Sequence, residues 1–159
     1  MNYIDKNLIS GERVIYRTKL HWIIFTWPAI LTLVTIAFLL LAVFTAYGKY
    51  FIYIAGFFFL LTIITGLSSF IKYSSSEFGV TNKRVLIKVG FISRHSLELL
   101  LSKVEGIGVD QGIVERIFNY GTITVTGTGG TKETFRLIPA PLDFRKRVQE
   151  QIVASQDAK

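Results

Sequence analysis

Two uncharged apolar runs dominate the pattern of this chain. Residues 28–46 and 51–71 contain no Asp, Glu, Lys or Arg, and the break between them is Tyr47-Gly48-Lys49-Tyr50. At 1.5 Å per residue each run reaches about 28–32 Å, the thickness of a bilayer's hydrocarbon core. Backbone in lipid has no water to bond to, so runs of this kind become helices. The pattern predicts a two-helix membrane hairpin over residues 22–71. A buried helical pair in a soluble core is the competing reading, but core helices carry a polar face and these runs have none. A signal peptide fits poorly: the leader is about twenty residues long, the apolar run is too long for an h-region, and a second span follows.

The hairpin has internal and flanking signals. Folded antiparallel about Gly48 and Lys49, it sets Ala42 against Ala55, Thr35 against Thr62, Thr32 against Thr65, and Ala29 against Ser68. Small residues allow close helix approach and hydroxyls can bond across, so these positions are the expected seam. Trp22 and Trp27 mark one membrane interface and Tyr47, Tyr50 and Tyr53 the other. Lys6, Arg13, Arg17 and Lys19 precede the spans and Lys72, Lys83, Arg84 and Lys88 follow them, while Lys49 alone lies between. Basic flanks stay inside, which places both termini in the cytoplasm and the protein in the inner membrane as a multi-pass chain.

Outside the hairpin the period changes to two. Residues 13–19 read as a short strand. Further strands are expected over 75–81, 84–89, 91–99, 104–110, 122–126 and 133–138, with turns at Thr81-Asn82-Lys83, Val89-Gly90 and Gly127-Thr128-Gly129-Gly130. Ile113, Ile117 and Phe118 have helical spacing. After Pro139-Ala140-Pro141, an amphipathic helix over 142–153 presents Leu142, Arg145, Val148, Gln149 and Ile152 on one face. Residues 154–159 are expected to fray. The organisation is an N-terminal segment (1–21) whose strand can join the later sheet, the hairpin (22–71), a mainly-β domain (72–153) and a tail. Its fold class is a membrane α-helical hairpin plus a bent antiparallel sheet or open barrel capped by the last helix.

Phe78-Gly79-Val80-Thr81-Asn82-Lys83-Arg84-Val85-Leu86, with Gly90, resembles the opening of bacterial pleckstrin-homology (PH)-like domains. Asn119-Tyr120-Gly121-Thr122-Ile123, then Gly127-Thr128-Gly129-Gly130, Ile138-Pro139 and Phe144-Arg145, resembles their closing half in order and spacing. Phe78 stands where Tyr is expected. The resemblance implies a seven-stranded bent sheet capped by a C-terminal helix, which makes residues 13–19 the seventh strand and the hairpin an insertion. It also implies homo-oligomers, since some bacterial relatives form rings. Fold does not set function.

The remaining chemistry is sparse. Cysteine is absent, which rules out disulfides and thiol catalysis. His21 and His95 lack paired carboxylates for a metal site. No catalytic triad order, carboxylate pair or cofactor fingerprint occurs, so no cofactor is expected. The spans carry no ionisable group for a proton or ion path. Gly127-Thr128-Gly129-Gly130-Thr131-Lys132 lacks the strand-to-helix context of a phosphate loop and reads as a hairpin turn. The net charge of +7 comes without a nucleic-acid reader motif. Lys72, Lys83, Arg84, Lys88 and Arg94 are candidate contacts for anionic lipid headgroups, with solvated strand-edge charge as the alternative. Arg145, Lys146 and Arg147 point around a helix and form no single patch. Leu97, Leu99, Leu100 and Leu101 are core or, where exposed, a partner surface. These features favour a non-enzymatic membrane adaptor or scaffold that binds protein or self-associates. Lipid recognition, or service as an accessory subunit of a membrane enzyme or transporter, are the alternatives.

Overall fold

A computed structural model describes residues 3–90 and 95–157. The chain divides into two compact units, one comprising Met1–His21 and Ser74–Lys159, the other Trp22–Tyr73.

The second unit is the apolar pair. A 3₁₀ turn, Trp22–Phe25, leads into helix α2, Thr26–Phe44, which is followed by α3, Gly48–Ser75. Both helices are long and apolar enough to cross a membrane, and little of either is buried by protein. That exposure is the opposite of a soluble core helix and fits a membrane-anchored protein. The turn lies earlier than the sequence indicates. Thr45 leaves the helical conformation and bonds its hydroxyl to the Leu41 carbonyl at 2.7 Å. Gly48 already opens α3, where a Cβ would lie 2.3 Å from the Ala42 carbonyl oxygen, so glycine is the residue that lets α3 start there.

The seam positions separate into groups. Thr35 and Ala55 are buried, Ala42, Thr62 and Thr65 half-buried, and Ala29, Thr32 and Ser68 exposed. The hydroxyls do not bond across the hairpin. Thr32, Thr35, Thr62, Thr65 and Ser68 each donate to the carbonyl four residues earlier in their own helix, at 2.8–2.9 Å. This back-bonding satisfies a hydroxyl in an apolar medium without a partner helix. One link across is Ser69 to the Ile24 carbonyl at 3.2 Å. Packing is carried by Ala55, by Pro28 against Gly66, and by Phe38 stacked on Phe58 at 5.5 Å. Ala55→Leu is therefore expected to cost about 1–2 kcal/mol by overpacking, while Ala29→Leu changes little. Thermal unfolding in detergent checks the pair.

The first unit holds the β-structure. Helix α1, Tyr3–Lys6, precedes strand β1, Val14–Thr18. After the hairpin come β2 (Glu77–Thr81), β3 (Arg84–Val89), β4 (His95–Leu100), β5 (Val104–Asp110), α4 (Ile113–Ile117), β6 (Tyr120–Gly127), β7 (Lys132–Pro139) and α5 (Pro141–Asp157). All pairings are antiparallel. One sheet has the order β1-β2-β3-β4 and the other β5-β6-β7. Thr18 lies opposite Phe78, so the hairpin is inserted between two strands that pair directly.

Alternation sets the core. In β6, Gly121, Ile123, Val125 and Gly127 are buried, with half-buried positions between them. Phe78 meets Phe135 edge-on at 6.1 Å, joining the two sheets. Every residue of β2 is buried, because its other face is covered too: Ile4 of α1 sits directly on Gly79. The last helix is phased differently from the sequence expectation. Its inward residues are Pro141, Phe144 and Val148, and Leu142 faces out. Helix regularity extends to Asp157, beyond the point where fraying is expected.

Candidate interaction site

The densest polar arrangement joins the N-terminal segment to the β2–β3 hairpin. Glu12 and Arg84 form its centre. Arg84 Nε donates to one Glu12 carboxylate oxygen at 3.0 Å and a terminal nitrogen to the other at 3.1 Å. Its second terminal nitrogen reaches Glu98 at 2.6 Å, and a further bond goes to the Asn7 carbonyl. Glu12 also accepts the Ile9 N–H at 2.8 Å and the Thr81 hydroxyl at 2.7 Å. Such two-point guanidinium–carboxylate geometry is the arrangement that offsets the desolvation of both charges.

The neighbouring turn is tied down the same way. The Asn82 side chain accepts from Arg13 N–H at 2.9 Å and donates to the Gly11 carbonyl at 3.2 Å. Lys83 Nζ donates to the Ser10 carbonyl at 2.9 Å. Lys88 sits over the Tyr3 ring, 4.6 Å from its centre, and Tyr3 donates to Glu98 at 2.9 Å. Asp5 and Arg17 form a further ion pair.

This changes the reading of the basic residues. Arg84 is not a headgroup contact: it is 9% exposed and its guanidinium is taken up inside the protein. Lys83 and Lys88 hold the N-terminal segment against the sheet. Lys72 is exposed in the last turn of α3. Arg94 lies outside the described residues. The sequence signal for this cluster was weak, because Glu12 and Arg84 stand 72 positions apart and each looks like ordinary surface charge.

Burial by itself would raise the Glu12 carboxyl. The hydrogen bonds from Arg84, Ile9 and Thr81, with the Arg84 charge, outweigh it and hold the group below the usual 4.5. A carboxyl depressed on folding contributes stability that is complete above its unfolded value and lost as pH falls through its folded one. The domain is therefore expected to lose stability below about pH 4.5, and Glu12→Gln to flatten that part of the profile. Unfolding midpoints between pH 3 and 7 check this.

Beside the Asn82–Lys83 turn lies an open cleft, bounded by Leu100, Ser102 and the end of α5 at Ile152, Ser155 and Gln156. It offers hydroxyl, amide and apolar surface but no carboxylate. The leucine run that leads to it is split: Leu101 is core, Leu99 is half-buried and would touch a Cβ at Gly127, and Leu100 is exposed. The glycine-rich stretch is a β6–β7 turn, with Gly127 N–H bonded to Thr131 at 2.9 Å and Thr128 N–H to Lys103 at 2.9 Å. The Gly127 and Gly130 amides close the turn on itself, and the Thr128 amide ties it to the residue before β5. Among the described residues no group of His, Asp and Glu is placed to hold a metal ion.

His21 has a structural position that its place next to Trp22 did not suggest. It is buried, stacks on Tyr120 at 5.1 Å, and receives support from Leu137, whose carbonyl accepts its backbone N–H at 2.7 Å. Its ring N–H donates to the Phe118 carbonyl. Burial lowers the imidazole pKa, and that hydrogen bond offsets part of the effect.

The two antiparallel sheets, the capping helix and the inserted apolar pair define the class. The family model for the bacterial PH domain matches residues 19–152, and the chain belongs to that family. Domains of this kind are interaction modules for protein or lipid and are generally non-catalytic. Strand β1 precedes the matched residues and yet completes the first sheet. No curated protein and no solved structure gives a significant match.

Proposed function

We propose that this chain is a membrane-anchored, non-enzymatic adaptor whose PH domain binds a partner protein or further copies of itself. The hairpin crosses the inner membrane twice, both termini face the cytoplasm, and Tyr47, Tyr50 and Tyr53 mark the outer interface. Basic flanks on both sides of the hairpin, against Lys49 alone between the helices, support that orientation.

The observation that carries the reading is the way the anchor joins the domain. Its two ends run into neighbouring, hydrogen-bonded strands, with Thr18 opposite Phe78. An anchor built into the sheet suits a domain whose work is to present a surface at the membrane. The polar groups of the β2–β3 region are spent on clamping the N-terminal segment, which leaves the open cleft and exposed apolar positions for contact. Anionic headgroups are the second partner class, reached through Lys72 and the general excess of positive charge, worth about 1 kcal/mol per basic residue near the surface.

Cross-linking in native membranes tests the proposal. Adducts with a second copy, or with one discrete protein, are expected; a chain that stays monomeric under every reagent overturns it.

A further inference from the structure

Helix α4 presents an apolar surface with no counterpart elsewhere in the described part of the domain. Ile113 is 81% exposed, Ile117 73% and Val114 57%. Phe118 follows them, and Leu142 is exposed as well. The Ala140 N–H bonds the Asn119 carbonyl at 2.9 Å, which brings the start of α5, and so Leu142, to the end of α4. An apolar cluster of this kind on a small domain marks a contact surface.

The place where α4 ends identifies the contact. The Phe118 carbonyl accepts the His21 ring N–H, and His21 stacks on Tyr120. His21 is the residue immediately before Trp22, where the apolar segment begins. The chain thus leaves the domain for the hairpin from the spot to which α4 is fastened. Tryptophan favours the boundary between headgroups and acyl chains, so chain continuity from His21 to Trp22 keeps α4 within reach of that boundary.

We infer that α4 is a lipid contact, with Ile113, Val114 and Ile117 entering the headgroup–acyl boundary of the inner leaflet. Charge fits: Arg116 stands on the same short helix and shares a shallow hollow with Ile113 and Ile117. Glu115 is turned back, and its carboxylate caps the Gly112 N–H at 2.8 Å. Size also favours lipid over a second copy. A five-residue helix offers far less than the roughly 800 Å² per partner that a stable protein interface takes. The inference rests on the membrane reading given above.

The chain has no cysteine, so single labels can be placed at will. Ile117→Cys and Val114→Cys, each carrying a small fluorophore, are reconstituted as full-length protein in phosphatidylethanolamine–phosphatidylglycerol vesicles. Thr128→Cys serves as the water-facing control and Leu33→Cys as the span control. Labels at 114 and 117 are expected to be quenched by a lipid-borne quencher several-fold more than the label at 128, and to be protected from aqueous iodide. Iodide access at 114 and 117 while Leu33→Cys is lipid-quenched overturns the inference and leaves the membrane reading standing. Protection from both quenchers also overturns it, since protein then covers the helix. Failure of lipid quenching at position 33 removes the membrane reading itself, and the inference with it.

Discussion

Arg84→Ala is expected to lower the stability of the PH domain by about 3–5 kcal/mol, the usual cost of breaking a buried ion pair by removing one partner. The Glu12 side chain is fully buried, so the substitution leaves its charge without a countercharge and without two of its four hydrogen bonds. It also removes the bond to the Asn7 carbonyl, and with it part of the hold on the segment that covers β2. Glu98 is different. Its side chain is 37% exposed, and Glu98→Gln is expected to cost less than about 1 kcal/mol. Arg84→Met combined with Glu12→Gln should recover most of the loss, because no buried charge is then stranded. Thermal unfolding of the full chain in detergent reads all three. An Arg84→Ala midpoint within a few degrees of the parent's contradicts the clamp.

Gly121→Ala carries the second large effect, about 2–3 kcal/mol by overpacking. A Cβ at Gly121 would lie 2.8 Å from the Asp110 carbonyl oxygen, 2.7 Å from Gln111 Cγ and 3.1 Å from Pro141 Cγ. Backbone and a proline ring cannot rotate aside as a flexible side chain can. The stretch is constrained from the other side as well. Asn119 has φ +54°, Gln111 donates to the Tyr120 carbonyl at 2.7 Å, and Ala140 N–H bonds to Asn119. The motif Asn119-Tyr120-Gly121 is thus the point where β6, β5 and α5 converge. Gly106 in β5 has nothing within 4 Å of an added Cβ, so Gly106→Ala is the matched control and should show no loss. Equal unfolding midpoints for the two variants would contradict this account.

How much of this was legible in the sequence depended on range. The hairpin could be read because two apolar runs carry their own length scale, and the strands because period two is local. The Gly127–Gly130 turn followed from local chemistry, with Gly129 and Gly130 both at positive φ. Helix α1 escaped, since four residues are too few to show a period. Its effect on β2 could not be read either: burial of both faces comes from Ile4, which is distant in sequence. Arg84 looked like surface charge because its partner is contributed by the far side of the hairpin insertion. The last helix was recognised but misphased, as Leu142 and Phe144 are both apolar and only the sheet beneath decides which turns inward. The seam of the hairpin was read as bonding hydroxyls, whereas in the structure those hydroxyls satisfy themselves within each helix.

The central proposal is that this bacterial PH domain protein binds a partner protein or further copies of itself at the membrane, and the particle mass after mild detergent extraction tests it most directly. The account predicts a mass, corrected for detergent, of two or more chains or of one chain with a stoichiometric protein partner. A single 18.0 kDa chain with nothing bound, at every concentration and in a detergent that preserves its unfolding transition, would contradict it.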